Sequence, residues 1–441
     1  VAVVRVVGGG LAGCEAAWQL AQCGHDVTLL EMKPIKRTAA AVTDRLCELV
    51  CSNSLRSANV ENAVGLIKEE LRRGGSLILQ AADHAKVPAG DALAVNREAF
   101  STFVEQALDG HGHIKREAVE VLTLPMDGVP TVVATGPLTS DGLAADIRAH
   151  VGADALAFYD AIAPIVDADS VDLEHAFFLS RYGKGDGADY LNCPLNEEEY
   201  NAFVDGLLSA EKFKLHSFEE PRYFEGCLPV EVMAERGRQT LSFGPMKPVG
   251  LYDPKTGKRP HAVVQLRKED VAGTAYNLVG FQTRMTQPEQ RRVFGLIPAL
   301  RNARWLRYGA VHRNSYLDSP RVLDDRLRLP KAQHIRFAGQ VTGVEGYVES
   351  AAMGFVVGRL LGMDLLGKDV APPPMTTALG ALYGHTRGWQ QAHKDARYDP
   401  TNVTWALFAP LVGKIKKDER KTRMVERAMA DLPAWLAAVG V

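Results

Sequence analysis

The chain has 441 residues, 46% of them hydrophobic and 24% charged, with 51 Lys+Arg against 53 Asp+Glu and a formal net charge of −2. That composition excludes a largely disordered chain, and the charge balance excludes nucleic-acid binding through a global positive field, while leaving room for local basic patches. At roughly 150 residues per domain, about two or three domains or one large domain with insertions are expected.

The chain holds 6 cysteines: Cys14, Cys23, Cys47, Cys51, Cys193 and Cys227. No CxxC pair occurs among them, which argues against a zinc ribbon or a thioredoxin-like site, and their number in so long a chain is no disulfide scaffold. Reduced thiols and a cytoplasmic location are therefore expected. No stretch reaches the ~18 apolar residues of a membrane span. The apolar start Val1–Val7 is too short for a signal peptide and reads as a buried strand.

Residues 1–31 read as strand, glycine turn, helix and second strand, the last ending at Glu31. Gly8, Gly10 and Gly13 form GxGxxG. The first allows a tight turn, the second lets backbone approach a pyrophosphate, and the third lets helix and strand pack closely. The helix N-terminus offers N–H groups to phosphate oxygens, and Glu31 is placed to accept ribose hydroxyls. An acid at that position favours FAD or NAD over NADP.

Further along, Ser52, Asn53 and Ser54 favour a turn or a helix cap. A helix N-terminus there, with Arg56 close by, would lower the pKa of the Cys51 thiol. Cys47, four residues earlier, is a candidate helical neighbour of Cys51 or a packed thiol. Cys14 and Cys23 are expected in the core of the first helix. Thr131–Gly136 reads as a short strand ending in Ala134-Thr135-Gly136. Gly183–Gly187 reads as a loop, Cys193 falls in a loop before a proline, and Asn196–Phe213 reads as an acid-rich amphipathic helix. Cys227 sits in a loop set by Gly226 and Pro229, with Glu225 and Glu231 as candidate proton acceptors.

Arg301, Arg304 and Arg307 alternate with Trp305 and Tyr308, and would share one face if helical. His334–Phe337 reads as a strand, followed by a loop with Gly339, Gly343, Gly346 and Tyr347 and a helix from about Glu349. The tail after Pro372–Pro374 carries Lys414, Lys416, Lys417, Arg420, Lys421, Arg423 and Arg427. Both basic groups are solvated faces or phosphate-binding surfaces for RNA.

The expected fold class is α/β: a Rossmann-like FAD-binding domain of the two-dinucleotide-binding-domain flavoprotein type, with an inserted smaller α/β domain. The FAD-binding domain is expected to be discontinuous, 1–170 and 300–441, around an insertion at 171–299 that meets the substrate.

The segments GGGLAGCEAAWQLAQCGHDVTLLEMKP, LVCSNSLRS, RYFEGCLPVEVMAERG, YGAVHRNSYLDSP and AGQVTGVEGYVESAAMG resemble, in order, the folate- and FAD-dependent tRNA (uracil-5-)-methyltransferase family, TrmFO. The larger related GidA/MnmG family, which modifies the wobble uridine, carries a long carboxy-terminal helical extension, and a chain of 441 residues is expected in the smaller family. The resemblance implies methylation at C5 of the tRNA T-loop uridine (position 54) to ribothymidine. The carbon comes from 5,10-methylenetetrahydrofolate, and the electrons from NADPH or NADH through FAD. Cys51 and Cys227 are then the catalytic thiols, Cys227 as nucleophile and Cys51 in proton transfer, with the reverse assignment open. His312 is implied to stack on the folate pterin, with Arg313 and Asn314 holding the folate or the flavin. Tyr347 and Glu349 are candidates for the flavin environment. Transfer RNA is the implied partner, and neither a membrane nor an obligatory protein partner is expected. A wobble-uridine enzyme and a small-molecule FAD oxidoreductase are the alternatives.

Overall fold

The computed structural model describes residues 1–38, 40–152, 155–183, 188–213, 228–269, 273–389, 398–413, 415–416 and 418–441, with the backbone alone at 155–162, 183 and 311–314. The valine-rich run Val3–Val7 suits a strand buried on both faces, and Val4 and Val6 are fully buried. This strand lies in a six-stranded sheet of order Arg328–Leu329, Ala332–Phe337, Thr131–Val133, Val3–Val7, Asp26–Glu31, Ile114–Ala118. All neighbours run parallel except the Arg328–Leu329 edge, and Val3–Val7 pairs in register with Asp26–Leu30. The Rossmann-like reading of residues 1–31 and of the later strands holds. The helix expected from about Glu349 is Tyr347–Leu365, starting two residues earlier.

Two helices cross behind the sheet, Leu11–Gln22 and Tyr347–Leu365. Gly354, Gly358 and Gly362 make the crossing close: a methyl group on Gly354 would sit 2.2 Å from the Ala12 carbonyl oxygen. Two buried carboxylates cap neighbouring helices. Glu15 accepts from Ser76 Oγ (2.7 Å) and Ile78 N (3.0 Å), and Glu70 from Ala378 N (2.7 Å) and Leu379 N (2.8 Å). Orphan helix N–H groups are thus satisfied without water. Cys14 is fully buried, and the half-buried Cys23 packs on the same core.

A second six-stranded sheet, antiparallel throughout, runs Phe177–Phe178, Tyr190–Leu195, Ala262–Lys268, Ala275–Leu278, Ile165–Asp167, Trp305–Arg307. It has its own core, including Leu191, Phe203, Leu266, Phe281 and Phe294. Helix Glu197–Ser209 covers it, opened by a capping box between Asn196 and Glu199. Cys193 is a correction: it lies on a strand rather than in a loop, fully buried, and burial pushes its thiol up. Arg301, Arg304 and Arg307 also depart from the helical expectation, because the three-residue strand Trp305–Arg307 pairs with Ile165–Asp167 there. Of the expected Gly183–Gly187 loop, residues 184–187 lie outside the described residues.

The two chain crossings between the sheets pair with each other. Ala155–Ile162 and Ala310–Leu317 form an antiparallel ribbon in which His312 faces Asp160, Arg313 faces Tyr159 and Asn314 faces Phe158 in backbone register. Among the described residues, no helix is long and apolar enough to cross a membrane.

Candidate active site

The glycine turn bends where its sequence allows. Gly8 takes φ +105°, and a methyl group there would meet the Ala134 carbonyl oxygen at 2.5 Å. A methyl group on Gly13 would lie 1.8 Å from the Gly8 carbonyl oxygen, whereas at Gly10 nothing lies within 4 Å. Gly10 therefore faces open space, as a residue approached by a ligand must. Helix Leu11–Gln22 begins directly after it with no side-chain cap, so its first N–H groups meet the cleft. Glu31 accepts from Gly9 N (2.6 Å) and Lys33 N (3.0 Å), which holds its carboxylate at the strand end with lone pairs to spare.

These groups line a cleft closed opposite by Thr135, Gly136 and Thr139 and at one end by Gln340, Tyr347 and Ser350. Thr135 and Thr139 share a hydroxyl hydrogen bond (2.6 Å), and Thr139 donates to the Gly136 carbonyl (3.0 Å). Gly339 takes φ +80° against Ala12, Gly343 lies under the Tyr398 ring, and Gly346 faces the Glu349 carboxylate. A glycine turn, an uncapped helix start and a fixed acid on one wall match a dinucleotide such as FAD: donors for a pyrophosphate, an acceptor for a ribose.

Cys51 stands past Val50 at the Tyr347 end. Its backbone N–H and that of Ser52 both donate to the Tyr347 phenol oxygen, at 2.6 and 3.1 Å. Burial, and next the neighbouring Cys51 thiol, push the Tyr347 phenol up, so it keeps its proton at neutral pH. The expected helix start after Cys51 is absent. Ser54–Ser57 is a strand, and Arg56, at φ +63°, turns away to pair with the fully buried Glu349. Cys47 is no helical neighbour of Cys51. It takes φ +50°, donates its N–H to the Gly9 carbonyl (2.9 Å), and burial followed by the Cys14 thiol pushes its own thiol up.

Three arginines that the motifs do not single out as thiol neighbours gather here. Arg97 donates to the Leu49 carbonyl (2.6 Å) and pairs with Glu269 (2.8 Å). Arg267, from the second sheet, donates to Ser52 Oγ (2.7 Å) and Asn53 Oδ1 (3.0 Å). Arg307 is held down from the usual guanidinium range by burial and then by Arg97, while Tyr347, Cys51 and Glu48 pull it the other way. It thus points inward, unlike the exposed Arg301. Arg304 pairs with Asp167 (2.8 Å). Arg97 and Arg267 lie far from Cys51 in sequence, and no local pattern marks them.

Cys227 and Glu225 lie outside the described residues. Pro229 caps helix Val230–Glu235, whose buried Glu231 accepts from Thr283 Oγ1 (2.9 Å) and Arg284 N (2.7 Å), so it is engaged in packing. The ribbon bearing His312, Arg313 and Asn314 is tied to the cleft wall by Ser315 N to the Pro137 carbonyl (2.9 Å). In the tail, Arg420 opens helix Arg420–Ala438 and Lys416 is exposed, while Lys414 and Lys417 lie outside the described residues.

A family model described as "Glucose inhibited division protein A" matches residues 3–369. The chain is 56% identical to the methylenetetrahydrofolate--tRNA-(uracil-5-)-methyltransferase TrmFO of Geobacter sulfurreducens, over 99% of each chain. It is 58% identical to that of Anaeromyxobacter sp., over 98% of this chain and 96% of the relative. Aquifex aeolicus GidA shares the fold at a TM-score of 0.69 and 14% identity, over 98% of this chain and 73% of that one. With these identities over nearly the full length, the chain belongs to the TrmFO family of methylenetetrahydrofolate--tRNA-(uracil-5-)-methyltransferases.

Proposed function

We propose that the chain methylates C5 of the T-loop uridine of tRNA to ribothymidine, taking its carbon from 5,10-methylenetetrahydrofolate. The observation that carries this reading is Cys51 held by Tyr347 at the end of a dinucleotide cleft. FAD, when bound, supplies the electrons that make the transferred carbon a methyl group, and NADPH or NADH renews them. Gly8, Gly10, Gly13 and the helix start at Leu11 would hold its pyrophosphate and Glu31 its ribose. Thr135 and Gly136 shape the opposite wall and Tyr347 one end, with Gly339, Gly343 and Gly346 in the loop that leads to Tyr347.

Uracil C5 is a poor nucleophile. A thiolate adding at C6, assigned to Cys227, makes C5 electron-rich by forming an enolate. Once the new C–C bond is made, a base must take the C5 proton, and the C6–S bond then breaks. Cys51 is assigned that proton, and exchanging the two thiols' roles is the alternative. His312, Arg313 and Asn314, on the ribbon tied to the cleft wall, are assigned to the folate. Arg301, Arg304, Lys414, Lys416, Lys417 and Arg420 are assigned to tRNA phosphates, with the base flipped out of its stack. Arg307, given to RNA by its spacing, is reassigned to the surroundings of Cys51. A tRNA substrate sets this work in the cytoplasm, without need of a protein partner.

The test is direct. Unmodified tRNA transcript is incubated with the protein, methylenetetrahydrofolate and NADPH, and beside it with S-adenosylmethionine in place of folate. Ribothymidine in the folate tube alone is expected, and Cys51→Ala and Cys227→Ala should each abolish it while the protein stays yellow. Product at the wobble uridine, or full activity in both variants, overturns the reading.

A further inference from the structure

Arg267 is buried against the usual preference of its charge. Its side chain is fully enclosed, only 6% of the residue being exposed, and burial pulls it below the usual guanidinium range. A guanidinium keeps its charge in proteins, so the enclosure must be compensated by donors well satisfied. Its hydrogen-bond partners are neutral, Ser52 Oγ at 2.7 Å, Asn53 Oδ1 at 3.0 Å and the Tyr190 phenol, while the Glu269 carboxylate acts on it through charge and Arg97 opposes it. Where packing alone was needed, an apolar side chain of that volume would serve with a smaller desolvation penalty.

The hydrogen bonds fall on one short stretch. Asn53 returns two through Nδ2, to the Lys268 carbonyl (2.9 Å) beside Arg267 and to the Val95 carbonyl (3.2 Å). Ser52 Oγ also accepts from Ser54 N (3.1 Å), which closes the turn. From the other side Tyr347 takes the N–H groups of Cys51 and Ser52. Cys51 therefore stands between two sheets' worth of structure. The helix lining the cleft grips its backbone, and the second sheet grips the two residues after it. Arg97, which donates to the Leu49 carbonyl, and Arg307, on which Cys51 acts through charge, are among the charged groups nearby.

We infer that Arg267 is a positioning residue: it transmits the placement of the second sheet to Cys51 through Ser52 and Asn53, so that the thiol is aligned only when the two sheets are docked. This rests on Cys51 being a working thiol, and it reaches further by giving the second sheet a part in the chemistry besides meeting the substrate.

The test uses the full-length, flavin-loaded protein. Arg267→Met, Arg267→Lys and Ser52→Ala are compared for methylation rate, for KM of tRNA, and for the rate at which iodoacetamide alkylates Cys51, read by peptide mass spectrometry. Losing these hydrogen bonds should lower kcat by about tenfold to a hundredfold in Arg267→Met, with KM for tRNA held within about threefold. Ser52→Ala should lose less, and Arg267→Lys should recover part of the rate. Cys51 alkylation should change in the same order, severalfold in Arg267→Met. Arg267→Met can fail to fold, so the milder variants decide. If Arg267→Lys and Ser52→Ala both keep kcat and the alkylation rate within about twofold, the assignment is overturned. A loss confined to tRNA KM overturns it too, and makes Arg267 a docking residue. Full activity in Cys51→Ala would instead remove the reading of the thiol itself, which the alkylation series measures separately.

Discussion

The phenol oxygen of Tyr347 lies 2.6 Å from the backbone nitrogen of Cys51 and accepts its N–H. Tyr347 is also the first residue of the helix that closes one end of the glycine-turn cleft. A single side chain thus links the residue expected to handle a proton to the wall expected to face the flavin. Tyr347→Phe would orphan the two N–H donors of Cys51 and Ser52. Each buried, unmatched donor costs about 1–3 kcal/mol. The expected outcome is a lower melting temperature and a methylation rate reduced about tenfold or more, with the yellow flavin retained. Steady-state rates and the absorbance ratio of flavin to protein check it.

Gly10 and Gly13 separate binding from folding. Gly10 has open space where a methyl group would go, while Gly13 meets the Gly8 carbonyl oxygen at 1.8 Å. Gly10→Ala should fold normally and lose FAD affinity by at least about tenfold, because the methyl group stands where the pyrophosphate must approach. Gly13→Ala should push helix Leu11–Gln22 off the sheet and cost stability as well as flavin. Thermal melts of apoprotein and flavin titration distinguish the two.

Acid should loosen the loop beneath the cleft. Burial pulls His385 down from 6.5 to about 4. Its ring stacks on Tyr398 at 4.8 Å, and Tyr398 donates to the Thr342 carbonyl (2.6 Å) within the loop Gly339–Gly346. A histidine held neutral in the folded state binds fewer protons there than when unfolded, so stability rises with pH across this window. Below about pH 6.5 that stability is lost progressively, by about 3 kcal/mol in all, and the loss levels off below about pH 4, where the folded imidazole protonates too. In His385→Gln this part of the pH dependence should vanish, as read from urea midpoints between pH 4 and 7.

The tail should carry tRNA by charge. Replacing Lys416, Arg420, Lys421 and Arg423 with Glu should weaken tRNA binding steeply at low salt. It should also reduce the slope of log affinity against log salt by about 0.7 to 0.9 for each phosphate no longer neutralised. Arg304 is already paired with Asp167 at 2.8 Å, so Arg304→Ala should weaken tRNA binding by only about threefold, less than the tail reversal. Filter binding over a salt series reads both.

Much of the dinucleotide half was legible because its signals are local. The Val3–Val7 run, the glycine spacing and Glu31 act within one strand–turn–helix–strand unit, and each stands where that unit requires. The later strand Ala332–Phe337 and the helix Tyr347–Leu365 were readable for the same reason. Where a local cue was ambiguous, long-range pairing overrode it. Ser52-Asn53-Ser54 suggests a turn or a helix cap; the turn forms, with Ser54 N donating to Ser52 Oγ, but no helix follows, because Arg267 and Tyr347 take those polar groups and the chain continues as a strand. Arg301, Arg304 and Arg307 have helical spacing, yet Ile165–Asp167 offers a sheet edge and the chain pairs there.

From its residues alone this chain declared a nucleotide cleft, two cysteine motifs and, by resemblance, a family. Glycine mechanics and helix ends act over a few residues, and a motif of that length carries its own physics. Only the tertiary structure decided which side chains surround Cys51. Arg97, Arg267 and Tyr347 come from three distant segments, and they meet because two separately packed cores bring their edges together. Burial and hydrogen bonding between such edges depend on the whole packed chain, and no window of sequence contains them.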